Sequence, residues 1–550
     1  MKKILALLLT LALLTSALAG CGGEKPEPTD EPSSEGGAVT EELRVSVDDY
    51  ANGYVTDDNN RVFYEIFVGS FSDSDGDGVG DLKGILSRMD YLNDGDPASG
   101  KSLGVEGLWL TPVFASPSYH KYDVTDYYKI DPKFGTTDDL KTLIDACHAR
   151  GVKLILDLPI NHTGRLNAWF SAFVTARRSG NESDPYYDFY VAVDKNGPFP
   201  TGRSFTPIAG TDVCYESNFS EDMPELNFDS ENVRQAVLDV AKYYLDLGVD
   251  GFRFDAAKYV YFGDNAVSED FWDWYMKELR KIDPDVYAVA EVWDSDGITD
   301  IYFPSVNCFD FTVSGASGLI SETAKGGNVN TYTSYVQRYI KKVSAMRDSA
   351  LYTPFISNHD MDRAAGFLNV AGGNMKVAAN LLILGPGSPF IYYGEELGMR
   401  GSRGGANTDA NRRLAMLWGD GDTVKDPEGT TYGADKQIED TALTQAADEN
   451  SLLTYYKKVI AIREMNPEIA RGQYQALSFS GTNVGGFISE WNGKTVCVLH
   501  NTLKTSITVD LKNATDKTFT TLAAVIGTDG TATLNGTSVT IGAQTSVVLR

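Results

Sequence analysis

VKLILDLPINH, residues 152–162, sets the reading of the whole chain. It is a short apolar, β-rich run that ends abruptly in the polar pair Asn161 and His162. Three downstream stretches share that form: VDGFRFDAAK at 249–258, VYAVAEVW at 286–293 and LYTPFISNHD at 351–360. Polar side chains at the ends of apolar strands are what the C-terminal mouth of a parallel β/α barrel collects. There the four stretches would deliver three carboxylates (Asp255, Glu291, Asp360), two histidines (His162, His359) and Arg253.

Strand-like runs alternate with helical patterns from about residue 61 to 466, which predicts repeated β-α units. Candidate strands are 61–68, 105–111, 152–158, 249–254, 286–292, 308–313, 351–356 and 389–393. Eight of them predict an α/β fold, a closed (β/α)8 TIM barrel, and no GxGxxG fingerprint follows the first strand to favour an open dinucleotide-binding sheet. Far more chain separates His162 from Gly248 than one helix needs, so residues 163–225, rich in Asn, Asp, Pro, Gly and aromatics, read as a subdomain inserted after strand 3. The barrel then occupies 59–162 and 226–466. Short alternating runs broken by turn residues over 467–550 predict a C-terminal antiparallel β-sandwich.

The chain has 550 residues, too many for one core, and 48 basic against 76 acidic residues give a formal charge of −28. Nucleic acid and anionic membrane surfaces would be repelled, so no nucleic-acid partner is expected and a neutral substrate suits the chain. Residues 1–20 read as a signal peptide, basic at Lys2 and Lys3 and apolar from Ile4 to Ala19. Leu18-Ala19-Gly20-Cys21 resembles a bacterial lipoprotein box, which implies lipidation of Cys21; residues 21–58, rich in Gly, Pro, Ser and acid at their start, read as a flexible tether. The expectation is an extracytoplasmic monomer held to the membrane by that lipid. The other four cysteines (Cys147, Cys214, Cys308, Cys497) show no metal-ligand spacing and read as buried thiols.

A retaining glycosidase needs an ionised carboxylate at the anomeric carbon and a protonated acid beside the leaving oxygen. Arg253, two residues before Asp255 on one strand, shares its face and should hold Asp255 ionised, while crowding by neighbouring acids should raise the Glu291 pKa. The ordered set of motifs, spanning about 61 to 550, resembles the α-amylase family, glycoside hydrolase family 13, and within it the group intermediate between oligo-1,6-glucosidase and neopullulanase types. The resemblance implies Asp255 as nucleophile, Glu291 as general acid/base and Asp360 as the third carboxylate, with His162 and His359 on sugar hydroxyls. By the same resemblance Tyr122 and His120 of SYHKYD (118–123) lie under and beside the reacting glucose, and Lys258 lines an acceptor subsite. Lys121 stands where the commonest pattern has Gly, Glu225 of MPELN (223–227) where it has Asp, and Tyr259 where a histidine often follows the lysine. In the α-glucosidase branch of that family Val after the nucleophile goes with α-1,6 linkages, so the resemblance implies that Ala256 favours α-1,4.

The loop from Asp73 to Asp81 alternates Asp with Gly, a pattern of oxygen ligands and tight turns that suits a hard cation. It is not an EF-hand, because Gly84 occupies the twelfth position and a strand precedes it. It resembles the calcium loop of certain family members, implying Asp73, Asp75, Asp77, Asp81 and the carbonyl of Val79 as ligands of a structural Ca2+. The expected activity is cleavage of α-1,4 bonds in starch and maltooligosaccharides. Alternatives are a 4-α-glucanotransferase or maltodextrin-acting glucosidase using the same residues and, more remotely, a non-catalytic glucan-binding lipoprotein.

Overall fold

The computed structural model describes residues 58–371 and 373–550. The signal peptide, Cys21 and all of the tether but Asp58 lie outside the described residues.

Eight parallel strands form one sheet: β1 (Phe63–Ile66), β2 (Gly107–Leu110), β3 (Lys153–Leu158), β4 (Gly251–Phe254), β5 (Tyr287–Ala290), β6 (Asn307–Asp310), β7 (Thr353–Pro354) and β8 (Phe390–Tyr392). Neighbours run β7-β6-β5-β4-β3-β2-β1-β8. A parallel bridge from Phe355 to Phe390 joins the two ends and closes the barrel. The strands are shorter than the apolar runs that announced them: 308–313 pairs only as far as Asp310, and 351–356 contributes two ladder residues. Pro354 cannot donate a ladder hydrogen bond, which limits the seventh strand.

Alternate residues divide two cores, as the two-residue period of a strand requires. Phe63, Trp109, Ile155, Tyr287, Val289, Phe309, Phe355 and Phe390 fill the barrel interior. Their neighbours Tyr64, Leu108, Leu156 and Phe252 point outward against the surrounding helices. Gly107 is required inside: a Cβ there would meet the Phe63 ring at 2.4 Å. The helical layer includes Thr137–His148, Glu231–Leu247, Asn265–Ile282, Val329–Met346 and Asn374–Ile383. The first opens with a reciprocal capping box between Thr136 and Asp139.

Between β3 and β4 lie the helix Ala168–Ser179 and a small antiparallel sheet of Ala192–Asp194, Phe205–Pro207 and Val213–Glu216. After the barrel, β9 (Gln473–Ser478), β10 (Gly485–Trp491), β11 (Lys494–Asn501), β12 (Ile507–Asp510), β13 (Leu522–Gly527), β14 (Ala532–Asn535), β15 (Ser538–Ile541) and β16 (Thr545–Leu549) build two antiparallel sheets. Their orders are β9-β10-β11-β16-β13 and β12-β15-β14. Leu477, Ile488, Leu499, Val539 and Val547 pack between them, while Phe487, Val498 and Val548 on the other face join the barrel's outer core. The four cysteines are buried free thiols.

The chain enters the barrel from the N-terminal side of the strands. Arg61 donates to the carbonyls of Glu106 (3.3 Å) and Gly151 (2.9 Å), which precede β2 and β3, and Asp58 pairs with Arg471 at 2.5 Å.

Candidate active site

At the opposite, C-terminal side of the strands is a cleft of about 920 Å³ lined by His120, Tyr122, His162, Asp255, Lys258, Glu291 and Asp360, among others. Arg253 and His359 are not on its surface. Both are fully buried beneath it and act on the carboxylates from below.

Asp255 follows β4 directly and Glu291 follows β5 directly, so adjacent strands present both carboxyls at one rim. A single guanidinium lies between them: Arg253 Nη1 donates to Asp255 Oδ1 at 2.7 Å, and Nη2 forms an ion pair with Glu291 Oε2 at 3.0 Å without the alignment of a well-formed hydrogen bond. The main-chain N–H of Ala256 also donates to Glu291 Oε2 at 3.0 Å. To aim that N–H, Ala256 adopts φ 49°, ψ 35°, a left-handed conformation uncommon outside glycine. The backbone strain therefore sits at the residue after Asp255, as it does at many functional sites.

The register places Asp157 of β3 opposite Arg253 of β4. Asp157 is fully buried and accepts from Arg253 Nη1 (2.9 and 3.0 Å), Tyr122 Oη (2.9 Å) and Trp109 Nε1 (3.3 Å). Tyr122 Oη also lies 2.7 Å from His359 Nε2, and its ring stacks on the His359 ring at 5.6 Å. His359 Nδ1 pairs with Glu65 of β1 at 2.5 Å, and its Nε2 approaches Asp360 Oδ2 at 3.0 Å. Arg413 holds the other Asp360 oxygen at 2.7 Å. Asp157, Glu65 and Arg413 complete the site, and sequence reading did not single them out.

Burial dominates the proton affinities. It lifts Asp255 to about 6; Arg253 opposes, and the charges of Asp157 and Asp360 reinforce the rise. Arg253 favours the ionised form of Asp255, the direction its position suggested, but burial is the larger effect. Burial likewise raises Glu291 to about 7, against Arg253 and with Asp255 and Asp360. Asp360 differs: the buried His359 and Arg413 outweigh desolvation and hold its carboxyl well below the usual range. Its partner His359 is pushed up to about 10 against the desolvation cost by Asp360 and Glu65, so it is an imidazolium. His120 and His162 are lowered to about 4 by burial and are neutral. Neither His162 nitrogen has a well-formed hydrogen bond within the protein. Its buried polarity faces a cleft in which a ligand's hydroxyls could satisfy it.

Lys121 adopts φ 68°, which explains why glycine is the commoner residue there. Its ammonium turns inward to Asp131 (2.7 Å) and the Ser116 carbonyl (3.0 Å). Lys258 donates to the Trp293 carbonyl (2.7 Å) and to Asp294 (3.0 Å), tying the segment after β4 to the loop after β5. Trp293 itself stacks on Phe311 at 5.0 Å.

In the loop after β1, carboxylate oxygens of Asp73, Asp75 and Asp81 come within 4.8 Å of one another. Asp77 does not join them, and its carboxylate accepts from the Val79 N–H at 2.7 Å. Asp73 also caps the N–H groups of Gly76 and Gly78, and Asp81 those of Ser74 and Gly84. Three converging hard oxygen donors fit a divalent cation.

A closed β/α barrel whose mouth holds a guanidinium-bridged carboxyl pair and a third, low-pKa carboxylate defines a glycosidase. Residues 65–472 match the α-amylase catalytic domain, and the chain belongs to that family. It is 33% identical over 461 residues to α-amylase 3 of Dictyoglomus thermophilum, covering 82% of this chain and 87% of that one. It is also 33% identical over 362 residues to a 4-α-glucanotransferase of Thermotoga maritima (63% and 74%). The solved structure of Amy13B from Eubacterium rectale superposes with a TM-score of 0.82 at 33% identity, over 91% of this chain and 98% of that one.

Proposed function

We propose that this protein hydrolyses α-1,4-glucosidic bonds of starch and maltooligosaccharides with retention of configuration. The observation that carries the reading is the bridged pair Asp255–Arg253–Glu291, because one guanidinium holding two carboxyls side by side favours the close spacing of a retaining enzyme over the wider gap that an inverting one needs for water. Around pH 6.5, Asp255 is mostly ionised and Glu291 mostly protonated. Asp255 attacks the anomeric carbon while Glu291 gives its proton to the departing glycosidic oxygen, leaving a glycosyl ester on Asp255. Glu291, now a carboxylate, takes a proton from water, whose oxygen displaces Asp255 and releases the sugar. Arg253 stabilises negative charge on both carboxyls throughout. Asp360, charged and clamped between His359 and Arg413, accepts hydrogen bonds from sugar hydroxyls; neutral His120, whose Nδ1 already accepts from the Tyr122 N–H, donates from Nε2, and neutral His162 offers one donor and one acceptor. Tyr122 supplies an apolar face for the pyranose.

Asp73, Asp75 and Asp81 would hold a structural Ca2+, whose role is to fasten the loop after β1. The sequence around Cys21 supports a lipid anchor and an extracytoplasmic location, checked by intact mass of the membrane fraction.

The test is a product profile on maltoheptaose, with Asp255→Asn as control. Shorter oligosaccharides alone, absent with the variant, support hydrolysis. Products longer than the substrate would replace hydrolysis by glucanosyl transfer, the activity named for the Thermotoga relative. Substantial turnover by Asp255→Asn would overturn the mechanism.

A further inference from the structure

Aromatic rings continue out of the cleft along the seam between the inserted segment and the segment after β4. The line starts on the side of Glu291, the proton donor to the leaving group, where the Lys258 ammonium, fastened to Trp293 and Asp294 in the loop that follows that acid, lies 5.2 Å from the Tyr259 ring. Tyr259 meets Phe219 edge-on at 5.2 Å, and both line the cleft. Outward, Tyr259 lies 5.5 Å from Phe262. The Arg203 guanidinium spans the next gap, 6.0 Å from the Phe262 ring and 5.8 Å from Phe205. Phe205 lies 5.4 Å from Phe199. Phe219 and Phe199 are each 47% exposed, and the members between them are partly exposed.

One exposed phenylalanine needs no explanation, but a line of rings leading from a catalytic cleft, bridged at its one gap by Arg203, does. These rings are held open by charge rather than closed into a core. Arg203 is locked by a bidentate pair with Glu216, which is 1% exposed, and that pair fixes the spacing between Phe205 and Phe262. The occupant must have apolar faces interleaved with hydroxyls and carry no negative charge, given a chain of −28 and an arginine already neutralised.

We propose that this line is an extended track for the glucosyl units of the leaving chain, and that it selects long glucans over short ones. The inference rests on the α-glucan reading above. Binding energy from units remote from the scissile bond would then raise kcat/KM for long substrates selectively. If the rings only glued the inserted segment to the barrel, removing one would cost stability without regard to substrate length.

Phe199→Ala and Phe205→Ala, each compared with the parent protein on amylose and on maltotriose, test this. The ratio of kcat/KM for amylose to that for maltotriose should fall roughly three- to tenfold in each, the worth of one aromatic contact, and Phe199→Trp should restore it. An unchanged ratio overturns the track, whatever happens to melting temperature or absolute rate. In parallel, maltoheptaose is titrated calorimetrically into Asp255→Asn with and without Phe199→Ala. Weaker binding with Phe199→Ala supports the track independently of turnover, and equal binding overturns it. Parent protein inert toward both substrates would instead sink the hydrolase reading.

Discussion

Asp157→Asn removes a buried negative charge without touching the cleft, and its effect can be worked from the geometry. Arg253 Nη1 lies 2.9 Å from Asp157 Oδ1 and 2.7 Å from Asp255 Oδ1, so those two oxygens are at most about 5.6 Å apart. At an effective dielectric constant of about 20, unit charges at that distance repel by about 3 kcal/mol, or about two pKa units on Asp255. Burial also raises the Asp157 pKa, which trims its charge, so a fall of about one to two units is expected. Asp255 works as an anion, and the rate falls as pH drops through its value near 6; Glu291 works as an acid, and the rate falls as pH rises through about 7. Asp157 is not among the main influences on Glu291. A profile of kcat/KM against pH should therefore keep its alkaline limb and shift its acid limb down by about one to two units. The apparent values belong to the coupled pair, so the comparison is between variant and parent. An acid limb that stays put, or two limbs that move together, would refute the account. Melting temperature should fall as well, since Arg253 loses one of its buried partners.

Lys121→Gly relieves a left-handed residue, worth about 1 kcal/mol, but strips buried Asp131 of its ammonium at a cost of about 3 kcal/mol; denaturant unfolding should show net loss, and adding Asp131→Asn should recover part of it. Glu225, raised to about 8 by burial and by Glu216, keeps a proton that the unfolded chain releases above about 4.5, so stability falls as pH climbs between those values. Glu225→Gln should flatten that fall, seen as a smaller drop in melting temperature from pH 5 to pH 8. Chelating divalent cations should lower the melting temperature, by about 2.7 kcal/mol of stability where calcium had stood at a hundredfold its Kd, and Asp75→Asn should abolish the response. A parent protein indifferent to chelation would remove calcium from the account.

The barrel was legible because its strands are buried on both faces, so each appears as an uninterrupted apolar run with its polar residues at the end. Asp255, Glu291 and Asp360 sit in those end positions and could be read from them. Asp157 lay inside LILDL and Glu65 inside FYEIF, and each had a readable signal: a charge within a buried strand must have a partner. Only the three-dimensional register shows that the partners are Arg253 and His359. Arg413, on a loop far downstream of the barrel motifs, carries no local pattern at all. The burial that outweighs Arg253 at Asp255 was equally invisible, because depth belongs to the assembled mouth and to no single strand. The aromatic line was hidden for a related reason: Phe199 and Phe205 precede Tyr259 by more than fifty residues and reach it through Arg203 and Phe262.

The point at which the chain enters the barrel gives the molecule an up and a down. Asp58 and Arg61 are pinned on the floor of the barrel, and the cleft opens on its roof. With a lipid on Cys21, the stretch to Asp58, at most about 130 Å when fully extended, would attach to the floor. An anchor fastened ahead of Asp58 would therefore join the barrel on the face away from the cleft, and would leave the mouth unobstructed for a long glucan to enter.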